Sequence, residues 1–291
     1  MSHNNLVTLR VWGDFACFTR PEMKVERVSY PVMTPSAARG ILEAVFWEPQ
    51  MYYLIDSIRV AKRGQWISIR RNEVTKVISV DNAQDWMSGK KKVVPINAGA
   101  GGDTDGTQRN MLALQDVEYL ITAEVRLTPL AQPPRDNLGK YLREIEGRAR
   151  AGKCFHRPGL GMREFAADFD WEPDADAALA RRAAELGQPV PQAHEPLGLM
   201  LYDLFDHRAR AAGFRWRTPD EEARQASDFE QTLTELKKGE QTKRRKEFAL
   251  QRLRSTSAAI KPTPLFFNAT LKNGCLDCHP DRVLSTPQGG N

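Results

Sequence analysis

Apolar and polar residues alternate from Leu6 to Trp12, the two-residue period of a strand with one buried face. A different period follows. Thr34-Pro35 reads as a helix N-cap followed by proline at the first helical position. Ala38, Ile41, Leu42 and Val45 then recur at spacings of three or four, until Pro49 ends the segment. Tyr53–Lys62 and Trp66–Arg71 predict two strands joined at the Arg63-Gly64 turn, and Val117–Leu127 carries the clearest strand signal in the chain. A second helix is predicted from Asn137 to about Arg150, with Gly152 as its stop, and Arg163–Trp171 is strand-like again. The order is strand, helix, two or three strands, helix, strand. That is the βαββαβ order of a ferredoxin-like, RRM-type domain in the α+β class, whose sheet commonly receives single-stranded RNA. Many unrelated α+β domains share it, so the order alone leaves function open.

The character changes after Trp171. Ala175–Leu186 and Leu197–Ala212 are helical in composition, and Thr218-Pro219-Asp220-Glu221 looks like a capping box opening a long polar helix. Phe229, Leu233 and Leu236 give that helix one apolar seam. Leu265–Leu271, closed by Asn273-Gly274, predicts a strand and tight turn in a small β-rich part, and the residues after Leu284 read as a frayed tail. The expected division is a ferredoxin-like domain over residues 1–171 and a β-rich domain over 172–291, the latter carrying a helical insertion at about 207–260.

With 291 residues, 41% of them hydrophobic, the chain can bury a sizeable core. Apolar runs fall short of the length that spans a bilayer, and Met1 to Val11 lacks the layout of a secretory signal, so a cytoplasmic protein without membrane contact is expected. Four scattered cysteines are too few for a disulfide framework. The net charge of +5 is concentrated in two stretches: nine Lys/Arg against three acids from Arg59 to Lys92, and eight against two from Lys237 to Arg254. Such stretches suit a polyanionic partner, and they equally suit a solvated surface. Cys275-Leu-Asp-Cys278-His279 spells a haem-attachment pattern, but three ligands make a poor zinc site and strand-and-turn residues explain it better. Gly99–Gly106 is no phosphate-binding P-loop, because Gly-Lys-Ser/Thr does not close it; a mobile loop fits better. No metal or cofactor is expected.

Longer ordered runs carry more information. They are Trp12-Gly-Asp-Phe-Ala-Cys-Phe-Thr-Arg-Pro-Glu-Met-Lys-Val-Glu-Arg-Val-Ser-Tyr30, then Thr34-Pro-Ser-Ala-Ala-Arg-Gly-Ile-Leu-Glu-Ala-Val-Phe-Trp-Glu-Pro49 and Arg70-Arg-Asn-Glu-Val74. Further runs are Gln108–Tyr119, Asp136-Asn-Leu-Gly-Lys-Tyr141, Leu160-Gly-Met-Arg-Glu-Phe165 and Thr263-Pro-Leu-Phe-Phe267. Together they resemble the type I-C Cas-five family, d subtype, of CRISPR-associated proteins. The resemblance is dense over roughly residues 7–170, with islands at 196–206 and 263–274.

What the resemblance implies is a ribonuclease that cuts CRISPR repeat RNA at the base of its hairpin. It would then stay on the 5′ handle beside the other subunits of the type I-C interference complex. The reaction implied is metal-independent: the ribose 2′-OH attacks the adjacent phosphate in line, leaving a 2′,3′-cyclic phosphate and a 5′-OH. That chemistry needs a proton acceptor, a cation for the charged phosphorane and a proton donor for the leaving oxygen. The family places an aromatic or imidazole group late in helix one and a Lys-His pair at the start of helix two; Phe46 and Lys140-Tyr141 correspond here. Lys140 keeps the cationic role. Tyr141 replaces a histidine, and a phenol of pKa about 10 is a weak base at neutral pH. Phe46 has no titratable atom. Cleavage slower than that of a His-bearing relative, or shifted to higher pH, is therefore expected.

His156, which follows the same helix, is an alternative base, although a surface or capping histidine is the plainer reading. Arg70, Arg71, Lys90, Lys91, Lys92 and Arg163 are the residues expected to contact RNA, the first five as phosphate contacts. Lys243-Arg-Arg-Lys246 reads equally as a contact to RNA or target DNA and as a solvated surface. Phe46 and Tyr141 favour a second reading, a non-catalytic subunit that caps the RNA handle. A general RNA-binding protein explains the basic stretches but not the ordered runs.

Overall fold

The computed structural model describes residues 5–96, 105–187, 194–211 and 263–284, with isolated positions between 223 and 245. Eight strands form one sheet: β1 (Leu6–Ala16), β2 (Met51–Lys62), β3 (Gln65–Val74), β4 (Gly106–Leu127), β5 (Asp168–Trp171), β6 (His194–Asp203), β7 (Leu265–Lys272) and β8 (Cys275–Asp277). The helices are α1 (Pro35–Val45), α2 (Val80–Met87), α3 (Leu138–Arg150), α4 (Ala175–Glu185), α5 (His207–Ala211) and α6 (Pro280–Val283). The sheet runs β5-β1-β4-β2-β8-β7-β6, with β3 on the N-terminal half of β4, and all of these strand pairings are antiparallel. The molecule is a mixed α and β structure built on an antiparallel sheet.

Strand alternation sends Val7, Leu9 and Val11 of β1 and Tyr119, Ile121 and Ala123 of β4 to one face. Ile41, Leu42 and Val45 of α1 and Tyr141, Ile145 and Ala149 of α3 complete this main core. Each of the valine, leucine and isoleucine side chains contributes about 1.5–3 kcal/mol on burial. Both helices begin on side-chain caps: Thr34 Oγ1 accepts from the Ala37 N–H, and Asn137 Oδ1 accepts from the Lys140 N–H at 2.9 Å.

Part of the opposite face of the sheet, around Leu120 of β4, is covered. Ala175, Ala178 and Leu179 of α4 pack on Leu120 of β4. Glu118, 2% exposed, takes Arg10 at 2.6 Å and Arg182 of α4 at 2.7 Å, so the helix is tied down by charge as well as by apolar contact. Further along, Arg282 of α6 holds Asp56 of β2 at 2.8 Å. Burial of Leu120 and neutralisation of Glu118 both require this cover.

Other expectations shift. Leu197–Ala212 is not a helix: residues to Asp203 lie in β6 and only His207–Ala211 is helical. Pairing with β7, interrupted by bulges at Gly198 and next to Asp203, overrides the helical composition. The strand expected at Arg163–Trp171 is confined to Asp168–Trp171, because residues before it form a tight loop. Gly161 in that loop has φ +84° and lies against the Cys17 carbonyl, where a β-carbon would sit 2.2 Å from the oxygen. α2 was not anticipated from the sequence. The Cys275–His279 stretch is β8 followed by a cap, with the His279 imidazole accepting from the Asp281 N–H. The Thr218 capping box, Phe229, Leu233, Leu236 and the tail after Leu284 lie outside the described residues, as does most of Gly99–Gly106. Among the described residues no helix is long and apolar enough to cross a membrane.

Candidate active site

The C-terminal end of α1 and the head of α3 meet, and the three site residues expected from the sequence come together there. Phe46 caps α1, and its ring centroid lies 6.3 Å from that of Tyr141. Lys140 Nζ sits 4.8 Å over the Tyr141 ring. They differ sharply in exposure. Phe46 is 2% and Tyr141 0% exposed, whereas 31% of the Lys140 side chain remains accessible.

One buried carboxylate organises the group. Asp136, just before the N-cap of α3, accepts from the Gln132 N–H at 3.0 Å, from the Tyr141 hydroxyl at 2.9 Å and from Lys140 Nζ at 3.3 Å. The Gln132 N–H, with help from Tyr141 and Lys140, holds the Asp136 carboxyl below the usual carboxylate range. The Tyr141 phenol moves the other way. Its burial first, and the Asp136 charge second, raise it far above the ordinary tyrosine value. Lys140 has a second acidic neighbour, Glu48, at 3.7 Å. A phosphate approaching Lys140 must therefore displace or share it with two carboxylates.

Arrangement limits chemistry. With its hydroxyl buried and donated to Asp136, Tyr141 neither accepts a proton at neutral pH nor reaches an incoming strand; it positions Asp136 and the head of α3. Phe46 is likewise a wall rather than an open stacking surface. His156, by contrast, is exposed, and the N–H groups of Phe155 and His156 both bond Ala44 O, at 2.9 and 3.2 Å. The loop bearing His156 is thus pinned to the last turn of α1. Arg148 also belongs to this neighbourhood, its guanidinium lying 5.4 Å from the Phe46 ring and 4.3 Å from that of Phe155. Sequence reasoning missed Asp136, Glu48 and Arg148; only the Asp136–Tyr141 spacing hinted at the first.

The expected RNA contacts divide by strand face. Arg70 and Arg71 are neighbours on β3 and so point to opposite sides. Arg70 is exposed and pairs with no described carboxylate, whereas Arg71 lies on the side of Ile67 and Ile69, held by Glu73 and by Glu164 at 3.4 Å. Lys90 and Lys92 are exposed after α2, while Lys91 binds Asp85 at 2.7 Å. Arg163 is exposed on the Gly161 loop. Among the described residues four of the six have no acidic partner, whereas Arg71 and Lys91 each have at least one. No cluster of metal-ligating side chains exists among the described residues.

Comparison with known proteins bears on what this arrangement is for. The family model Cas_Cas5d, described as CRISPR-associated protein (Cas_Cas5), matches residues 6–246. The chain belongs to this family. It is 41% identical over 204 residues to the CRISPR pre-crRNA endoribonuclease Cas5d of Mannheimia succiniciproducens, covering 70% of this chain and 87% of that protein. It is 40% identical over 201 residues to the protein of the same name from Thermus thermophilus, covering 67% and 72%. Among solved structures it is similar to one titled a CRISPR-associated protein, at 16% identity, 94% and 90% coverage and a TM-score of 0.49. It is also similar to a chain of a CRISPR RNA-guided surveillance complex, at 17% identity, 58% and 61% coverage and a TM-score of 0.34. The family match spans α1 and α3, and hence Phe46, Lys140 and Tyr141.

Proposed function

We propose that this Cas5d-family chain is an endoribonuclease that cuts CRISPR repeat precursor RNA at the hairpin base and stays on the 5′ handle in the type I-C interference complex. Membership of a family whose curated relatives carry the name pre-crRNA endoribonuclease supports the reading. The observation that carries the site is the partly accessible ammonium of Lys140 at the head of α3, held by Asp136 beside Phe46. Strands β5-β1-β4-β2 with α1 and α3 on one face support a ferredoxin-like core, within a domain of residues 1–171 and a β-rich C-terminal domain of 172–291.

In this reading the scissile phosphate meets Lys140, which stabilises the phosphorane as the 2′-OH attacks in line. No metal takes part, and the products are a 2′,3′-cyclic phosphate and a 5′-OH. His156, exposed at the end of α1, is the proton acceptor or donor nearest in kind to what the buried Tyr141 cannot supply. Arg70, Lys90, Lys92 and Arg163 hold the RNA backbone. RNA enters on the helix side or along β3, away from the part of the other face that α4 covers around Leu120.

The test is incubation of the protein with its own repeat RNA, with chelator present, and analysis of the product ends. Cyclic phosphate and 5′-OH ends in chelator support the reading; uncut hairpin over pH 7–9.5 with tight binding removes the nuclease. The burial of Tyr141 and Phe46 favours a second reading, a non-catalytic subunit that caps the handle, and that same uncut but bound RNA is its signature. Contact of the 243–246 basic run with target DNA belongs to either reading.

A further inference from the structure

Phe155 is an exposed aromatic that the chemistry above leaves unused. It is 55% exposed, yet it is held from several directions. Its N–H bonds Ala44 O at 2.9 Å, its ring stacks on that of Phe46 at 6.3 Å and 20° between planes, and the Arg148 guanidinium lies 4.3 Å over it. The placing of its neighbours is informative. Arg148 also lies 5.4 Å from Phe46, so the guanidinium and the Phe46 ring are neighbours of each other as well as of the Phe155 ring, while 55% of Phe155 stays accessible.

Arg148 adds charge at this spot. Its Nε is buried without a hydrogen-bond partner, and among the described residues no carboxylate pairs with it, so there its cation is held by two aromatic rings. An exposed aromatic ring held beside a cation with no described acidic partner is what an unpaired base and its phosphate would recognise; apolar peptide would gain nothing from the charge. The location fits as well, because Phe46 touches both Phe155 and Tyr141, the ring beneath Lys140.

We propose that Phe155 is a stacking platform for one unpaired RNA base, within a few nucleotides of the phosphate that Lys140 meets, with Arg148 supporting the ring and attracting the backbone. This rests on the reading of the chain as a repeat-RNA nuclease and adds a specificity site to it. The step is one of binding, with no bond made or broken.

The experiment uses the full chain and its own repeat hairpin with single-stranded flanks, carrying 2-aminopurine at one flank position after another. Wild type is expected to bind and to quench the probe at one position. Phe155→Leu, which keeps apolar cover over Phe46 without a π-face, is expected to lose that quenching and to bind about 5- to 100-fold more weakly. Phe155→Trp should keep both within about threefold. Thermal melting of Phe155→Leu close to wild type excludes misfolding, and a melt that falls moves the comparison to Phe155→Trp against Phe155→Tyr, which must both retain quenching. Wild-type affinity and quenching in Phe155→Leu would overturn the platform while leaving the nuclease intact. Failure of wild-type protein to bind the repeat at all would overturn both.

Discussion

The Tyr141 hydroxyl donates to Asp136 Oδ1 at 2.9 Å, and Lys140 Nζ reaches the same oxygen at 3.3 Å. One carboxylate therefore restrains both residues that the family pattern brings to the head of α3. It fixes the phenol as a donor facing inwards and leaves the ammonium as the group facing water. Roles follow from this asymmetry.

Lys140→Ala should reduce cleavage of repeat RNA by at least about 10²-fold, the usual cost of removing a charge that stabilises a transition state. Much of the hairpin affinity should remain. Tyr141→Phe should cost less than about tenfold, whereas a phenol acting as general acid would cost about 10²–10⁴-fold. Single-turnover rates at saturating protein separate the two. Normal cutting by Lys140→Ala would remove the site assignment, and a Tyr141→Phe loss as large as that of Lys140→Ala would return Tyr141 to the reacting groups.

Glu48 lies 3.7 Å from Lys140 and opposes any phosphate arriving there. Glu48→Gln keeps the shape and removes the charge. It should tighten repeat-RNA binding severalfold and raise the cleavage rate, most visibly at low salt, where charge repulsion is least screened. Binding isotherms at two ionic strengths check this. Weaker binding would mean that Glu48 serves by holding Lys140 in place.

α1, α3, α4, the first three strands and the second half of β4 were legible because their apolar periods match their burial: Leu9 and Val11 alternate inward, and Ile41, Leu42 and Val45 line one side of α1. β6 was not, because Leu199-Met-Leu-Tyr202 suits helix and strand alike until β7 supplies partners. α2 carries no buried residue, so no apolar stripe announced it. Lys140 was found through a run of neighbouring residues. Glu48 is 92 positions away in sequence, and only the packing of α1 on α3 brings it near. The covering of the sheet by α4 escaped for a related reason, since Glu118 is one acid in an apolar strand until Arg10 and Arg182 converge on it.

The tyrosines predict how the fold fails in alkali. Five of the six, Tyr30, Tyr53, Tyr119, Tyr141 and Tyr202, have phenols raised above the usual value chiefly by burial. A group whose folded pKa exceeds its unfolded one stabilises fully below the unfolded value, about 10, and loses that contribution as pH rises towards the folded value. Stability should therefore fall steeply above about pH 10. Ultraviolet titration should show these phenols ionising together with loss of far-ultraviolet circular dichroism. Smooth ionisation near pH 10 by a folded protein would contradict their burial.

Arg70 and Arg71 should separate in salt dependence although they are adjacent. Each phosphate contact to single-stranded nucleic acid contributes about 0.7 to the slope of log affinity against log salt, and about 0.9 for a duplex. Arg70, exposed and without an acidic partner among the described residues, should remove about that much when changed to Ala and weaken binding at low salt. Arg71 faces Ile67 and Ile69 and is held by Glu73 and Glu164, so Arg71→Ala should leave the slope unchanged. Its effect should be a lower melting temperature worth about 0–1 kcal/mol, the range for ion pairs with partial exposure. Affinities of both variants for the repeat hairpin at four salt concentrations decide the matter. A reduced slope for Arg71→Ala with none for Arg70→Ala would place the RNA on the Arg71 face of β3.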